Sequence, residues 1–354
     1  MKPLFRMQGS GRAVSRRWLR VVTFAGLTPF ALWGTGALAF GSWPASVQAP
    51  LAIAYVAAHL VATVWLRPAR AVAAAAALFA VPLSAFFLMR PSNDRDWLPE
   101  VSQTPRAVIE GDHATVYNVR NNYYDSLTSF TARYETRFYD LSRLRSLDVI
   151  LTDWGAKGVA HTMVSFGFEG DDYLCFSFET RKEIGETYSA VKGFFRSYEL
   201  ICIAGDERDL LGLRTNHRKG ESVYLYRARV LSKERLRNGL LEYLRQINEL
   251  ADRPKWYNAL TSNCMTSAFR LARRHAAPGR GQIHWSLILN GYADRHGYDR
   301  GVIDTSLPFE QLKQISRIND RAREAGNAPD FSQRIRSGMP GMDWRPPLEL
   351  PHAP

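Results

Sequence analysis

The first 90 residues consist of long apolar runs separated by short basic or turn-forming breaks. No Lys, Arg, Asp or Glu occurs between Val21 and Leu66. These 46 residues would span about 69 Å as a helix, against about 30 Å for a hydrocarbon core. The run therefore predicts two transmembrane helices, with a break at the Gly-Ser-Trp-Pro sequence of 41–44. A third apolar run, Ala71 to Met89, predicts a third helix.

A different pattern follows, in which apolar and polar positions alternate with the period of a β-strand. The two clearest runs, 160–168 and 172–179, are separated by a short loop with a glycine and predict an antiparallel hairpin. Bulky side chains take the even positions of both runs. If they face each other across the ladder, paired positions add to an even number. A loop at 169–171 then places Glu179 opposite His161, with Cβ atoms about 5 Å apart.

Helical spacing of apolar residues returns in three segments: 231–250, the second half of 254–275, and 308–325. Short strands are predicted in three others: 94–147, 198–204 and 223–226. The Pro- and Gly-rich sequence 326–354 predicts an extended or disordered tail. Together these elements predict an α+β domain at 91–325 behind a membrane anchor at 21–90.

The net charge of +12 is concentrated in the N-terminal part of the chain. Residues 1–90 contain nine Lys and Arg and no Asp or Glu, which leaves only +3 for the rest. A nucleic-acid surface is therefore not indicated. The basic residues lie in the tail 1–20 and around the turn at 67–70, whereas the turn at 41–44 has none. This asymmetry predicts a multi-pass protein with a cytoplasmic N-terminus and a domain after Arg90 on the outer side of the inner membrane. For a bacterial protein, which is assumed at this point, that side is the periplasm.

Cys264 is a candidate nucleophile because of its place at the start of a predicted helix. The polar residues Thr261, Ser262 and Asn263 precede it and are typical of a helix N-cap. A thiol there lies near free backbone N–H groups and the positive end of the helix dipole, so it should ionise more easily than an ordinary cysteine. The alternative is a small buried residue that only packs the helix.

His161 is the candidate base, since the predicted register puts Glu179 where it could orient the imidazole. With Cys264 these residues would form a thiolate–imidazole dyad with a carboxylate orienter. The smaller, more polar face of the hairpin, which includes Ser165 and Ser177, would leave room for a substrate. The alternative is that His161, like most strand histidines, is purely structural.

Two further residues are candidates for substrate binding. Arg181 follows Glu179 closely and would meet a lipid phosphate, or would lie at a solvated strand end. Asn263 directly precedes the predicted nucleophile.

The remaining cysteines suggest a disulfide. Cys175 and Cys202 both lie in strand-like runs and could pair, which would leave Cys264 as the free thiol of an odd set of three. The scattered histidines show no metal-ligand spacing, and no specific phosphate-binding loop occurs. The sequence therefore predicts no metal and no cofactor.

Five ordered motifs carry a resemblance to a known family. They are A-H-x-x-x-S-F-G-F at 160–168, F-S-F-E-T-R-K-E-x-G-E-x-Y-S at 176–189, G-F-F-R-S-Y-E-L at 193–200 with D-E-R-D at 206–209, V-Y-L-Y at 223–226, and W-Y-N-A-L-T-S-N-C at 256–264. On these motifs, the sequence from about Asp96 to His275 resembles the bacterial Lnb-type periplasmic domain family.

The order of a histidine followed about 100 residues later by Asn-Cys is also similar to permuted papain-like enzymes such as lecithin:retinol acyltransferase. The resemblance implies a permuted papain-like domain, in which an antiparallel sheet packs on helices. It also implies a thiol acyltransferase-type site at His161 and Cys264. Lipoprotein N-acylation is the activity attached to the family's namesake. Met265 departs from the pattern, because threonine more commonly follows the cysteine.

The sequence thus favours a membrane-anchored periplasmic acyltransferase that acts on membrane lipid or lipoprotein esters. Two alternatives remain at this point. One is a periplasmic cysteine peptidase or cell-wall amidase, because the same dyad can attack an amide. The other is a non-catalytic envelope assembly module that keeps the fold. The sequence gives no indication of the oligomeric state.

Overall fold

The computed structural model describes residues 10–155, 158–229, 232–274 and 290–342. The chain divides into two compact units. The first consists of the chain up to Pro91 together with Tyr188–Tyr198, and the second of Ser92–Thr187 and the chain from Glu199 onward.

The first unit contains the three helices predicted from the apolar runs. They are α1 (Ser10–Phe40), α2 (Ala45–Trp65) and α3 (Pro68–Leu88). Each contains a stretch long and apolar enough to cross a membrane. The turn between α1 and α2 falls at 41–44 as predicted, because Pro44 cannot continue α1 and directly precedes α2.

Small and aromatic residues pack the three helices. Gly34 of α1 has no side chain, and a Cβ there would overlap with the ring of Tyr55 in α2. Trp33 of α1 contacts Phe79 and Phe86 of α3, with ring centroids 5.5 and 5.1 Å apart. Between lipid-facing helices such close contacts replace the hydrophobic effect as the source of association.

The second unit is built around a nine-stranded sheet. Its strands are β1 (Arg106–Glu110), β2 (His113–Arg120), β5 (Tyr134–Asp140), β6 (Leu144–Asp153), β7 (Ala160–Phe168), β8 (Tyr173–Arg181), β9 (Glu199–Gly205), β10 (Ser222–Arg227) and β11 (Lys255–Trp256). The main order is β1-β2-β9-β8-β7-β6-β10, with β5 beside β2 and β11 beside β9. All pairings are antiparallel except the short β2–β9 contact. A separate two-stranded sheet pairs β3 (Tyr123–Tyr124) with β4 (Phe130–Thr131).

Seven helices accompany the sheet in the described part of this unit. They are α4 (Glu207–Gly212), α5 (Lys233–Asp252), α6 (Cys264–Arg274), α7 (Ala293–Asp299), α8 (Phe309–Ser316), α9 (Asn319–Ala325) and α10 (Phe331–Arg334). The predicted helix at 231–250 is confirmed as α5. The Ser232 hydroxyl caps it by accepting a hydrogen bond from the backbone of Arg235. The predicted α+β class is therefore confirmed.

The even-numbered face of the β7–β8 hairpin packs on α5. Phe166, Phe176 and Phe178 are almost fully buried, and each lies against Tyr243 of α5, with ring centroids 5.0 to 6.1 Å apart. The bulky face predicted from the alternation is thus the face that supports the hydrophobic core.

The opposite face of the hairpin corrects two predictions. The sequence suggested that this face leaves room for substrate, but Met163 and Cys175 are buried there with Phe331 and Ile335. The tail after Gly326, predicted to be extended or disordered, forms α10 and supplies those two residues as far as the structure describes it. Phe331, Ile335 and Met339 recur at helical spacing. The hydrophobic stabilisation from burying them orders a segment whose Pro and Gly content alone would favour disorder.

A buried ionic cluster fixes this C-terminal segment. Arg336 donates two hydrogen bonds to Asp148 at 2.8 and 2.9 Å and two to Glu207 at 2.6 and 2.7 Å. Its guanidinium carbon lies 3.7 Å from the ring centroid of Tyr173. Asp148 also accepts from Arg227 at 2.5 Å. A buried charge of this kind is tolerated only because each carboxylate is paired.

Replacing Arg336 by Met should lower the free energy of unfolding of the second unit by about 3 to 5 kcal/mol, because Asp148 and Glu207 would remain buried without a partner. Arg334→Met is the matched control. Arg334 pairs with Asp330 at the surface, where solvent screens the pair, so its loss should leave the free energy of unfolding nearly unchanged. Denaturant unfolding followed by tryptophan fluorescence measures both variants. Equal stability of the two would contradict an anchoring role for Arg336.

Candidate active site

The pairing of β7 with β8 brings the first two predicted site residues together. Met163 lies opposite Ser177 and Val164 opposite Phe176, so paired positions add to 340 and the predicted even register is confirmed. The same register extended by two residues sets His161 against Glu179. The imidazole Nε2 lies 3.1 Å from Glu179 Oε1. Both strands belong to the buried centre of the sheet, so the position of these groups is fixed by backbone pairing.

Ser177 completes the link between the histidine and the carboxylate. Its Oγ lies 2.7 Å from His161 Nε2 and donates a 2.7 Å hydrogen bond to Glu179 Oε1. Because the single hydroxyl hydrogen goes to the carboxylate, the oxygen is left to accept from a protonated Nε2. The chain of donors therefore runs from His161 through Ser177 to Glu179. This makes Ser177 a positioning residue of the imidazole.

Arg214 is a site residue that the sequence did not reveal. It lies in the π-helical turn Leu213–His217 that follows α4, and its side chain is 7% exposed. Its Nη2 donates to Glu179 Oε1 at 2.9 Å, and its Nη1 lies 3.3 Å from Glu221. Nothing in the spacing of Arg214 relative to Glu179 signals this contact, since it depends on how α4 folds back onto the sheet.

The three neighbours keep Glu179 ionised. Burial acts to raise the pKa of this carboxyl, but the charges of His161 and Arg214 and the hydrogen bonds from His161 and Ser177 hold the pKa well below its usual range. The carboxylate keeps about a quarter of its side-chain surface accessible. Glu179 is therefore a permanent negative charge beside the imidazole.

Cys264 is the first residue of α6, as predicted. Asn263 caps the helix, because its Oδ1 accepts from the backbone of Thr266 at 2.8 Å and the Thr266 Oγ1 accepts from the backbone of Asn263 at 3.0 Å. Asn263 thus has a capping role at this position rather than a free side chain. The last residue of the predicted segment, His275, lies outside the described residues.

The thiol of Cys264 is buried and hydrogen-bonded to the imidazole of His161. The contacts of Ser177 and Glu179 occupy Nε2, which leaves Nδ1 as the ring nitrogen able to face the sulfur. Burial acts to raise the pKa of the thiol. The charge and hydrogen bond of His161, with a hydrogen bond from the backbone N–H of Thr162, outweigh this effect and lower the pKa.

The pKa of the His161 imidazole is shifted in the opposite direction. Burial acts to lower the pKa of His161, and Arg214 does so too, but the charges of Glu179 and Cys264 raise the pKa to about 9. A low thiol pKa beside a high imidazole pKa favours the thiolate–imidazolium form of the pair. The arrangement can therefore supply a nucleophile and a general acid from the same two side chains.

Two buried hydroxyl groups near the thiol also escaped the sequence analysis. Ser267 is three residues after Cys264 and shares its face of α6, and Thr162 supplies the amide that contacts the sulfur. Neither hydroxyl has a hydrogen-bond partner among the described residues. Buried hydroxyl groups are almost always paired, so these two are exceptions among the described residues.

Two predicted substrate-binding residues lie outside this cluster. Ser165 is fully buried four residues along β7 from His161, which is roughly 13 Å at strand spacing. Arg181 is 2% exposed, and its guanidinium donates to the side chain of Asn93 and to the carbonyl groups of Val101 and Ser102. These contacts hold Arg181 inside the protein, where burial lowers its pKa to about 10, so the side chain is not displayed at the surface for a lipid phosphate.

The predicted option of a Cys175–Cys202 disulfide is wrong. Both thiols are free and buried. Cys175 pairs with Gly205 and Cys202 with Phe178, so the two side chains are offset by three residues and point to opposite faces of the sheet. Burial raises the pKa of both thiols, which sets them apart from Cys264. Among the described residues, no group of three or more His, Cys, Asp or Glu could hold a metal ion.

Comparison with protein families gives a match over the part of the chain that carries this site. Residues 130–291 match the family model of the Lnb N-terminal periplasmic domain. No curated protein and no solved structure gives a match. The matched segment contains His161, Ser177, Glu179, Arg214 and Cys264, whereas the three apolar helices precede it. The part of the chain that carries the site is therefore similar to the Lnb N-terminal periplasmic domain, and the three apolar helices before it indicate a membrane protein with a periplasmic domain.

Proposed function

We propose that this protein is a thiol acyltransferase that transfers an acyl chain from a membrane lipid or lipoprotein ester to an amine. The observation that carries the proposal is the contact between Cys264 and His161, with the imidazole held on Glu179 by Ser177. A permuted papain-like arrangement, in which the histidine strand precedes the cysteine helix, is part of the same proposal. Its support is the order of β7 and α6 in the chain.

In the first half-reaction, the Cys264 thiolate attacks the carbonyl carbon of the ester. The oxyanion that forms is stabilised by the free backbone N–H groups in the first turn of α6. When the tetrahedral intermediate collapses, the bond from carbon to the ester oxygen breaks and the protonated His161 gives its proton to the leaving alcohol. The product is an acyl thioester on Cys264 and a neutral imidazole.

In the second half-reaction, an acceptor amine attacks the thioester carbonyl. His161 takes a proton from the amine, the bond from carbon to sulfur breaks, and the thiolate leaves as the amide forms. Glu179 favours the imidazolium in both half-reactions because its charge faces Nε2 throughout. Arg214 and Ser177 hold the carboxylate in place. The enzyme returns to the thiolate–imidazolium state in which it began.

The anchor supports a lipid ester as the acyl donor. Three apolar helices hold the chain in a membrane, which benefits an enzyme with a bilayer substrate and gives a cell-wall amidase no evident advantage. We propose a cytoplasmic N-terminus, in line with the basic residues before α1 and between α2 and α3. An odd number of passes then places the family domain in the periplasm, and the protein in a bacterial inner membrane.

Met265 gives little support to a non-catalytic assembly module. Its side chain is buried with Leu151, Tyr226 and Leu312, in a core cluster separate from the one that contains Cys264. The departure from the commoner threonine is thus a packing difference on the other side of the helix. It leaves the thiol and its imidazole contact unchanged.

Incubation of the purified protein with phosphatidylglycerol, a phospholipid without an amine, should produce a hydroxylamine-sensitive acyl adduct on Cys264, because the thioester accumulates when no amine acceptor is present. Intact-mass spectrometry measures the adduct and identifies the chain. Cys264→Ala should abolish it, and Cys175→Ala should retain it as the matched control. Turnover of muropeptides with none of phospholipid would favour an amidase. Labelling on neither substrate would favour the assembly module.

Glu179→Gln should reduce turnover on the order of 10 to 10³-fold, because glutamine keeps a hydrogen bond but removes the charge that stabilises imidazolium. The loss should be smaller than in His161→Ala or Cys264→Ala. Glu183→Gln is the control, since Glu183 pairs with Arg95 outside the site. Wild-type turnover in Glu179→Gln beside an inactive His161→Ala would remove Glu179 from the mechanism.

The rate of the first half-reaction should show a plateau between the lowered pKa of Cys264 and a pKa of about 9 for His161. Below this window the thiol is protonated, and above it the imidazolium loses the proton that the leaving alcohol needs. Glu179→Gln should move the alkaline limb to lower pH, because the carboxylate raises the pKa of His161. Rates of adduct formation from pH 5 to 10 test this, and an unmoved alkaline limb would contradict it.

A further inference from the structure

The connection between β8 and β9 belongs to the first unit rather than to the sheet. This segment, Tyr188–Tyr198, which we call the β8–β9 loop, lies within the matched family domain but clusters with the three apolar helices. It continues from the strand that carries Ser177 and Glu179. The loop folds locally through a hydrogen bond from the Ser189 backbone to the Tyr198 hydroxyl and a stacking contact between Tyr188 and Tyr198.

Phe195 packs the loop against aromatic side chains of α1. Its ring centroid lies 6.2 Å from that of Trp33 and 6.0 Å from that of Phe40, both in α1. Gly36 lies between them in sequence, and a Cβ at Gly36 would overlap with the Phe195 ring. Because Gly36 has no side chain, it leaves the space that the Phe195 ring occupies.

Arg196 fixes the loop on the ends of α1 and α3. Its guanidinium donates to the Phe86 carbonyl near the end of α3 and lies 4.2 Å from the Phe86 ring centroid. The Ser42 hydroxyl, just after α1, donates to the Arg196 carbonyl at 2.8 Å. Arg196 has a φ of 57°, which costs on the order of 1 kcal/mol or more in a residue other than glycine. Contacts on both sides of the residue hold this conformation.

The outer side of the loop is apolar and exposed. Tyr188, Val191 and Phe194 are 55%, 52% and 38% exposed, and the half-buried Lys192 lies between the last two. The loop sits where α1 and α3 end, and the last residues of α3, including Leu88, are also exposed and apolar. Apolar and aromatic residues beside a lysine, at the end of a transmembrane bundle, are typical of the membrane–water interface.

We propose that the β8–β9 loop binds the lipid headgroup region, with Val191 and Phe194 against the upper acyl chains and Lys192 at the lipid phosphates. Lipid is the occupant because the loop is continuous with the ends of helices that are themselves surrounded by lipid. The loop thus adds a fourth attachment to the membrane, made by the periplasmic family domain itself. This proposal holds whether or not Cys264 is a nucleophile.

The test uses the full chain in lipid nanodiscs, with Cys264→Ala removing the reactive thiol. An environment-sensitive fluorophore is attached at Val191→Cys, and in a second variant at Phe194→Cys. Val302→Cys is the matched control, because Val302 is 50% exposed and belongs to the second unit. Nitroxide on the upper acyl chain should quench the labels at 191 and 194 severalfold more than the label at 302, and aqueous iodide should do the reverse. Strong iodide quenching and no nitroxide quenching at 191 and 194 would overturn the proposal.

A second pair of variants tests the packing of Phe195 against Gly36. Gly36→Val should displace Phe195 and bring the nitroxide quenching at position 191 down towards that at 302. Gly26→Val is the control in the same helix, since a Cβ at Gly26 meets no atom within 4 Å. Undiminished lipid quenching in Gly36→Val would contradict a loop held at this depth by Phe195. Because every readout is fluorescence, failure here is distinguishable from failure of the acyltransferase proposal.

Discussion

The register of the β7–β8 pair decides where the groups of the site lie. With Met163 opposite Ser177, the imidazole of His161 meets the carboxylate of Glu179 at 3.1 Å. A slip of one residue would turn Glu179 to the α5 side and bring phenylalanines to the site face. Burial of both faces of the hairpin makes such a slip costly, because it would place Ser177 and Glu179 in the apolar core. The packing of the sheet therefore protects the chemistry of the site.

Charge balance explains how so many ionisable groups lie together with little water. Glu179 faces His161 and Arg214, and the imidazole of His161 in turn lowers the pKa of the Cys264 thiol. Each partner lowers the cost of burying the next, since an isolated charge in such a place would neutralise itself through a pKa shift. Glu221 also pairs with Arg214 and adds a second negative charge beside this cation. The direct effect on the Cys264 thiol comes from the imidazole and the Thr162 backbone, since the charge of Glu179 by itself acts to raise the pKa of the thiol.

Local pattern was enough to predict part of this structure. Periodicity located the three apolar helices, the β7–β8 hairpin with its register, and the start of α6 at Cys264, because each depends on neighbours close in sequence. Contacts between segments that are distant in the sequence could not be predicted from local pattern. Arg214 reaches Glu179 from a turn 35 residues away, and Arg336 pairs with Asp148 across 188 residues. Arg181 has the charge of a surface residue, and only the fold shows that Asn93, Val101 and Ser102 enclose it.

Coverage of the sheet on both sides also explains why the site lies at the ends of elements. α5 covers one face, and α9 with the segment through Met339 covers the other, so the middle of β7 is closed to any ligand. Ser165, in that middle, is accordingly fully buried. His161 is the second residue of β7 and Cys264 the first of α6. At the start of a helix such as α6 the backbone still has free N–H groups that can bind an anion. The same burial that stabilises the domain thus restricts its chemistry to the place where β7 and α6 begin.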